Sequence, residues 1–510
     1  MACLQQHSRD FSAEQMSATL VRAVLRAAPV DVAVRVANIC ARDGTLERAL
    51  RCLADTPHLP DPNYMRSVVS RLLPLVPLDE GLGDPLYELA ARCTGDATGG
   101  ILTYFIDRTH PLCPSESALD DGSVRVWTSR YLSDISTRVW PAAFSLASAM
   151  AMLLVRRLPE DLCDAPLQVA SAKPAVLIEL GAGTGLASLL VARALKQASA
   201  GAVYPTAAHE LRIIATDGDR AGVQRCFENI SLNAWVHRDP VVRGPTVEAA
   251  VLEWSAVSCA CSRRNECDAV PKDEAATLLV ASADGASKHD HSLTTAPAAQ
   301  EANGAMIEAP MPSLSPALCA QASVLFGSDL VYSHDAIEPL ARVLCAFVHC
   351  GASDCSCAPP PSSGGALDDT PLPDVFCSDV DSAARILGIL MGRGMDCGGV
   401  ESSQTCPRAG RFAVLSNTRR NAETYALFVR TLARHRLAYV DATDAFFGRR
   451  VAGETSEAGG VASWASPLVD LCNGVEVTDG GMVSDVRTAL ILPAHALQRA
   501  LSGAAGRSCD

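Results

Sequence analysis

Apolar positions change their period along the chain, and the changes divide it into segments of different kinds. Over residues 13–110 they recur at helical spacing, as at Met16, Leu20, Val21, Val24 and Leu25, with breaks at Pro29, Pro57, Pro60 and Pro62. That pattern predicts a helical N-terminal module with few strands. From about Ser123 to Thr137 the pattern turns strand-like with polar interruptions, and Trp140-Pro141 then opens a small-residue helix whose first turn suits a proline. Farther on, short β-branched runs alternate with helical stretches. Strands are predicted at 176–178, 211–216, 247–252, 324–326, 412–416, 437–440 and 486–492, and helices at 186–195, 220–233, 335–349 and 421–435. This alternation predicts an α/β fold with a doubly wound, Rossmann-like sheet of seven strands.

Two stretches fit neither period. Residues 256–318 are rich in Ala, Ser and Asp, and 351–375 in Pro, Gly, Ser and Cys. Both are expected to be disordered insertions, with a short helix around 381–392 after the second. The implied division is a helical N-terminal domain over 1–115 and an α/β domain over 120–510.

The richest chemistry stands where the 176–178 strand gives way to a helix. Glu179-Leu180 is followed by Gly181, Gly183 and Gly185 in a Glu-x-Gly-x-Gly-x-Gly spacing. Glycines let the backbone turn sharply and let a ligand lie against it, beside the free N–H groups of the next helix. A dinucleotide fingerprint would need its third glycine one residue later, where Leu186 stands. A tight turn without a ligand is the plainer alternative. Asp217 closes the second strand, where an acid can accept both hydroxyls of a ribose. The alternative for Asp217 is capping of the helix that Asp217-Gly218-Asp219 opens. Glu179, Asp217, Trp254 and Asp329 all fall at strand ends, which is where ligands sit in open α/β sheets.

Composition narrows the class. The chain has 510 residues, 48% hydrophobic, with mean hydropathy +0.15 and a net charge of −14, which describes a globular chain and gives no basic field for nucleic acid. The longest uncharged apolar run, Ala142 to Val155, is shorter than a bilayer span, and no leader peptide or membrane helix is read. The 20 cysteines lack paired C-x-x-C spacing, so free thiols in a reducing, cytoplasmic compartment are expected, with no metal site. No Walker, H-E-x-x-H or G-x-S-x-G motif occurs. His334 and His349 are expected to be surface or loop residues.

Taken in order, Trp140, the glycine turn, Leu252-Glu253-Trp254 and Asp329-Leu330-Val331-Tyr332 resemble the sequential motifs of the seven-strand protein-lysine methyltransferases. The element from Ser416-Asn417-Thr418-Arg419-Arg420-Asn421 to Phe428 is similar to one branch, the eukaryotic elongation factor 2 lysine methyltransferases, and so are Pro60–Pro74 and 77–90. Departures from that pattern are Ser136 for a glycine, Glu253 for an aspartate and Ser328 for an alanine.

The resemblance implies S-adenosylmethionine as cofactor and elongation factor 2 as protein substrate; a monomer is expected. Trp140, Glu179, Asp217 and Trp254 would line the cofactor pocket. Gly181, Ala182 and Gly183 would meet the methionine end, and Ser328 would contribute from the fourth strand. Asp329 would position the lysine and Tyr332 would wall its channel. Plain core packing is the alternative for each tryptophan, and helix capping for Asp329. Another lysine or small amine as acceptor, or a non-catalytic cofactor-binding interaction module, are the competing functions.

Overall fold

The computed structural model describes residues 13–76, 83–93, 99–105, 122–129, 131, 134–155, 176–200, 211–236, 245–257, 314, 322–349, 411–443, 446, 486–494 and 496–497. Most of the two expected insertions, and the short helix expected at 381–392, lie outside the described residues.

Five helices come first: α1 (Ala13–Leu25), α2 (Val30–Arg42), α3 (Leu46–Asp55), α4 (Pro62–Leu72) and α5 (Gly83–Arg92). Their apolar stripes meet in a core of their own, in which Leu20, Leu50, Leu53, Met65 and Leu89 are buried. Proline marks the boundaries here for a physical reason. Pro62 occupies the first turn of α4, where a missing N–H costs nothing, and Asp61 caps the same turn by accepting from the N–H groups of Asn63 and Tyr64. The Arg92 guanidinium donates to the carbonyls of Ala54 and Thr56, both at 2.6 Å, and so satisfies acceptors at the end of α3.

The helical periodicity fails in one place. Residues Gly99–Phe105 form a strand, β1, paired antiparallel with β2 (Ser123–Ser129) in a separate two-stranded sheet. A side chain at Gly99 would fall 2.1 Å from the Thr128 carbonyl oxygen, and one at Gly100 would fall 2.2 Å from the backbone nitrogen of Asp61. These glycines therefore serve close approach between a strand and the cap of α4, which reads in sequence as a loop.

The main sheet has seven strands: β3 (Val176–Leu180), β4 (Arg212–Asp217), β5 (Thr246–Val251), β6 (Ala322–Ser328), β7 (Phe412–Thr418), β8 (Leu437–Asp441) and β9 (Val486–Pro493). Their spatial order is β5-β4-β3-β6-β7-β9-β8, parallel except that β9 runs antiparallel to both of its neighbours. The seven-strand, doubly wound α/β architecture is thus the one the alternation of periods predicts. Helices cover both faces. α6 (Ala142–Val155), α7 (Leu186–Ala200) and α8 (Arg220–Leu232) pack with Leu177, Ile213 and Phe326 on one side, while α9 (His334–His349) and α10 (Ala422–Arg434) pack with Ile178, Ile214 and Leu325 on the other. Alternate residues of each strand serve opposite faces, so the strands read as continuous apolar runs.

The apolar run 142–155 is α6, whose described side chains are buried except for the half-buried Leu154. Among the described residues no helix is long and apolar enough to cross a membrane. Leu314, which falls inside the first expected insertion, is buried, and its N–H donates to the Val251 carbonyl at 3.1 Å. His349, expected at the surface, is buried in the last turn of α9. The described cysteines, Cys40, Cys52, Cys93, Cys226 and Cys345, are buried.

Strand order reverses between β3 and β6, because the chain builds outward from β3 to β5 and then returns to the other side of β3. That crevice, at the carboxyl ends of β3, β4 and β6, is where an open α/β sheet presents its ligand site.

Candidate active site

A cavity of about 900 Å³ opens at the crevice. Trp140, Glu179, Gly181, Ala182, Gly183 and Asp217 line it from one half of the sheet, and Trp254, Ser328, Asp329 and Tyr332 complete it. Residues spread over nearly 200 positions in sequence are thus brought together around one space. Its volume lies within the range of small-molecule and cofactor pockets, about 300–1,000 Å³.

The first half is a backbone construction. Gly181, Gly183 and Gly185 all adopt positive φ, at 59°, 51° and 74°. A Cβ on Gly183 would stand 2.7 Å from the Ser136 carbonyl oxygen, and one on Gly185 would stand 2.6 Å from the Cys226 sulfur, so both handedness and space demand glycine. The turn is held from below: the Ala182 N–H donates to the Thr216 carbonyl at 2.8 Å, and the Gly183 N–H to Asp217 Oδ2 at 3.0 Å. Asp217 Oδ1 accepts from the Asp219 N–H at 3.0 Å. Burial, opposed by these hydrogen bonds, raises the Asp217 carboxyl above its usual range.

The capping role belongs to Asp219, not Asp217. Asp219 accepts from the N–H groups of Ala221 and Gly222, and also from the Ser136 hydroxyl at 3.2 Å. Ser136 therefore replaces the expected glycine by tying the loop before α6 to the start of α8. Asp217 is left at the cavity wall.

Glu179 lies deeper. Its Oε2 accepts from the backbone N–H and the hydroxyl of Ser188, in the first turn of α7. Burial pushes its carboxyl up to about 8, and the charge of Asp217 adds to the shift.

Two asparagines four residues apart, Asn229 on α8 and Asn233 at its C-cap, act as a substitute strand edge for β2. Asn233 pairs with the backbone N–H and carbonyl of Arg125, and Asn229 with those of Trp127. Asn229 Nδ2 also donates to the Thr184 carbonyl at 2.9 Å, which joins β2 to the glycine turn.

The second half is built from side chains across β6 and β7. Asp329 follows β6 with φ 51°, a left-handed conformation that an aspartate tolerates better than most residues. Its N–H donates to the Ser416 carbonyl at 2.8 Å, and its Oδ1 accepts from the Thr418 N–H at 2.7 Å. Its side chain is 8% exposed. The helix-capping alternative fails here, because α9 begins at His334 and the Ser333 hydroxyl accepts from the Asp335 N–H. Asn417 Oδ1 accepts from the N–H groups of Leu330 and Val331, at 2.8 and 3.2 Å, and fixes the turn that carries Asp329 to Tyr332.

Tyr332 is largely exposed at the rim, and partial burial together with the charge of Asp217 holds its hydroxyl above the ordinary phenol range. Arg420 lines the same rim: its Nη2 is 3.4 Å from Asp329 Oδ2 and its guanidinium lies 4.4 Å from the centre of the Trp140 ring. The Trp140 indole N–H donates to the Ile135 carbonyl. Trp254 stands opposite in a short 3-10 turn, its ring close to Gly181 and packed against the core. Cavity lining and packing thus coexist in this tryptophan.

Residues 119–271 match the model of a family described as lysine methyltransferase. The matched segment contains Trp140, the glycine turn, Asp217 and Trp254. The chain is an S-adenosylmethionine-dependent methyltransferase. The match supports methylation of lysine in a protein substrate. No curated protein matches the chain.

For this enzyme, Arg420, Asn417, Asn229 and the Ser136–Asp219 pair are parts of the site to which sequence reasoning gave no role. Arg420 and Asn417 stand within the 416–428 element that carries the family resemblance, and that was the signal available. Nothing local marks Asn229, whose partners lie 45 and 102 residues away.

Proposed function

We propose that this methyltransferase transfers the methyl group of S-adenosylmethionine to a lysine of translation elongation factor 2, with Asp329 holding the acceptor amine. The observation that carries the lysine reading is the placement of Asp329. It is a nearly buried carboxylate with one oxygen fixed by a backbone N–H and the other already paired with a cation, beside the aromatic walls of Trp140 and Tyr332. Such a site favours a positively charged group presented on a long apolar stem. The choice of elongation factor 2 rests on the resemblance of 416–428 and of the stretches 60–74, 77–79 and 86–90.

The residues present fit the cofactor. The cavity has the volume, Asp217 offers acceptor capacity at the end of β4, Trp254 offers an aromatic face for a purine, and the glycine turn leaves backbone open to the methionine end. When bound, S-adenosylmethionine supplies a methyl on a cationic sulfur, which leaves as the neutral thioether while the amine nitrogen forms the new N–C bond. The protein's part is alignment and exclusion of water. The substrate ammonium gives up a proton to solvent at the cavity mouth, and Asp329 retains the amine by accepting from an N–H that remains. Tyr332, kept protonated, walls the stem of the lysine instead of serving as base. In this reading the helices of the N-terminal block recognise the folded substrate, in the cytoplasm.

The test is transfer from labelled S-adenosylmethionine to purified elongation factor 2 by the wild type and by Asp329→Ala. Label on one lysine is expected, falling about 100-fold or more in the variant, with much weaker transfer to a short peptide bearing that lysine. If the factor stays unlabelled while other proteins are labelled in an Asp329-dependent way, the substrate assignment falls. Undiminished transfer by Asp329→Ala removes the role of the acid.

A further inference from the structure

We propose that Arg420 occupies the acceptor position until a substrate lysine displaces it, and that it thereby determines which amines the site admits. The proposal rests on the reading of Asp329 as the acid that holds the acceptor.

Asp329 has two oxygens with different fates. Oδ1 is held by the Thr418 N–H at 2.7 Å, a backbone contact that cannot be given up without moving the end of β7. Oδ2 faces the Arg420 guanidinium at 3.4 Å. The same guanidinium lies 4.4 Å from the centre of the Trp140 ring, at the wall of the cavity. Arg420 thus makes both contacts expected of an incoming ammonium, a carboxylate and an aromatic face.

It is also well placed to leave. The Arg420 side chain is 45% exposed while that of Asp329 is 8% exposed, so the acid is fixed and the cation can swing into solvent. With its arginine open to solvent, an ion pair of this length changes an equilibrium by about fivefold or less. The Arg420 backbone stays anchored by its N–H to the Thr418 carbonyl at 2.9 Å, so displacement is a rotation of the side chain about a fixed point. Between turnovers the desolvated carboxylate keeps a counter-charge.

Selectivity follows from this competition. A free amine brings only its charge and must expel Arg420 unaided. A lysine delivered by a docked protein has binding energy from elsewhere with which to do so.

The probe is n-butylammonium, the end of a lysine side chain, titrated into the full chain in the presence of S-adenosylhomocysteine. Binding is followed by the carboxyl carbon resonance of Asp329 and by calorimetry. Arg420→Gln is expected to bind n-butylammonium about 3- to 10-fold more tightly than wild type, with S-adenosylhomocysteine affinity within twofold. Arg420→Lys, which keeps the charge and loses the guanidinium over the Trp140 ring, is expected to fall between them. It carries the test if the Gln variant melts at lower temperature.

Unchanged or weaker n-butylammonium binding in both variants overturns the proposal. Loss of S-adenosylhomocysteine affinity also overturns it, and identifies Arg420 as a cofactor ligand. Failure of the underlying reading has a different signature: Asp329→Ala then leaves n-butylammonium binding to the otherwise wild-type chain unaltered.

Discussion

The two halves of the cavity are built on opposite plans, and each rests on a buried asparagine used in the opposite sense. On the β3–β4 side the ligand-facing atoms include the backbone of the turn through Gly181, Ala182 and Gly183, flanked by Trp140 and Asp217, with Asn229 donating its amide to the carbonyl of Thr184. On the β6–β7 side they belong to side chains: Asp329, Arg420 and Tyr332, on a turn whose N–H groups are accepted by the Asn417 oxygen. A backbone cradle suits a cofactor that is the same in every turnover. Side chains on a fixed turn suit an acceptor that must be discriminated. The difference implies that damage to the first half should appear in cofactor affinity, and damage to the second in handling of the amine.

The largest separation is expected from Gly183→Ala. At φ 51°, with a Cβ 2.7 Å from the Ser136 carbonyl oxygen, alanine must either strain the turn or push the loop before α6 away. The expected cost is about 2 kcal/mol or more of stability, and at least a tenfold loss in S-adenosylhomocysteine affinity, by thermal melting and calorimetry. Acceptor KM, measured at saturating cofactor, should hold. Wild-type cofactor affinity in this variant would show that the turn adapts and is no rigid cradle.

A finer cut comes from the asparagines themselves. Asn229→Ala leaves the N–H and carbonyl of Trp127 and the carbonyl of Thr184 without this partner; Asn417→Ala does the same to the N–H groups of Leu330 and Val331. Each buried group so orphaned costs about 1–3 kcal/mol. Asn417→Ala should lower kcat/KM for the amine about 10- to 100-fold while S-adenosylhomocysteine affinity changes by less than about twofold. Asn229→Ala should do the reverse, weakening the cofactor about tenfold. Equal effects of both variants on both ligands would mean that the two halves move as one unit.

The same contrast explains what the sequence discloses. Gly181, Gly183 and Gly185 are legible because positive φ favours glycine, and the strand ends are legible because period-2 and period-3.6 patterns change there. The acceptor half is not legible in that way. Asp329 meets Thr418 and Arg420 across about 90 residues, and only the pairing of β6 with β7 brings them together. The Asp217–Asp219 pair shows a limit of another kind. Either acid can cap a helix from its position in sequence, and the local backbone path decides that Asp219 does so. Strand β1 is hidden because Gly99 and Gly100 signal a loop, whereas their lack of a side chain serves contact with α4 and β2.

The smallest effect concerns Glu179, beneath the cofactor half. Its carboxyl titrates near 8 in the folded chain against an ordinary value of 4.5, chiefly because it is buried. At neutral pH the folded protein therefore holds a proton that the unfolded chain releases. As pH rises from the unfolded value towards 8, unfolding releases this proton with growing advantage and the stability contributed by Glu179 declines; above 8 the group is ionised in both states and the decline stops. Glu179→Gln removes the titration and keeps an oxygen for the Ser188 N–H and hydroxyl. The Tm of wild type relative to Glu179→Gln should thus fall steadily between about pH 5 and pH 8 and then level off. Because the negative charge of Asp217 raises the Glu179 carboxyl further, Asp217→Asn should move the levelling point to lower pH. A Tm difference independent of pH would mean that Glu179 titrates alike in the folded and unfolded chain, and that the floor of the cofactor half is open to water.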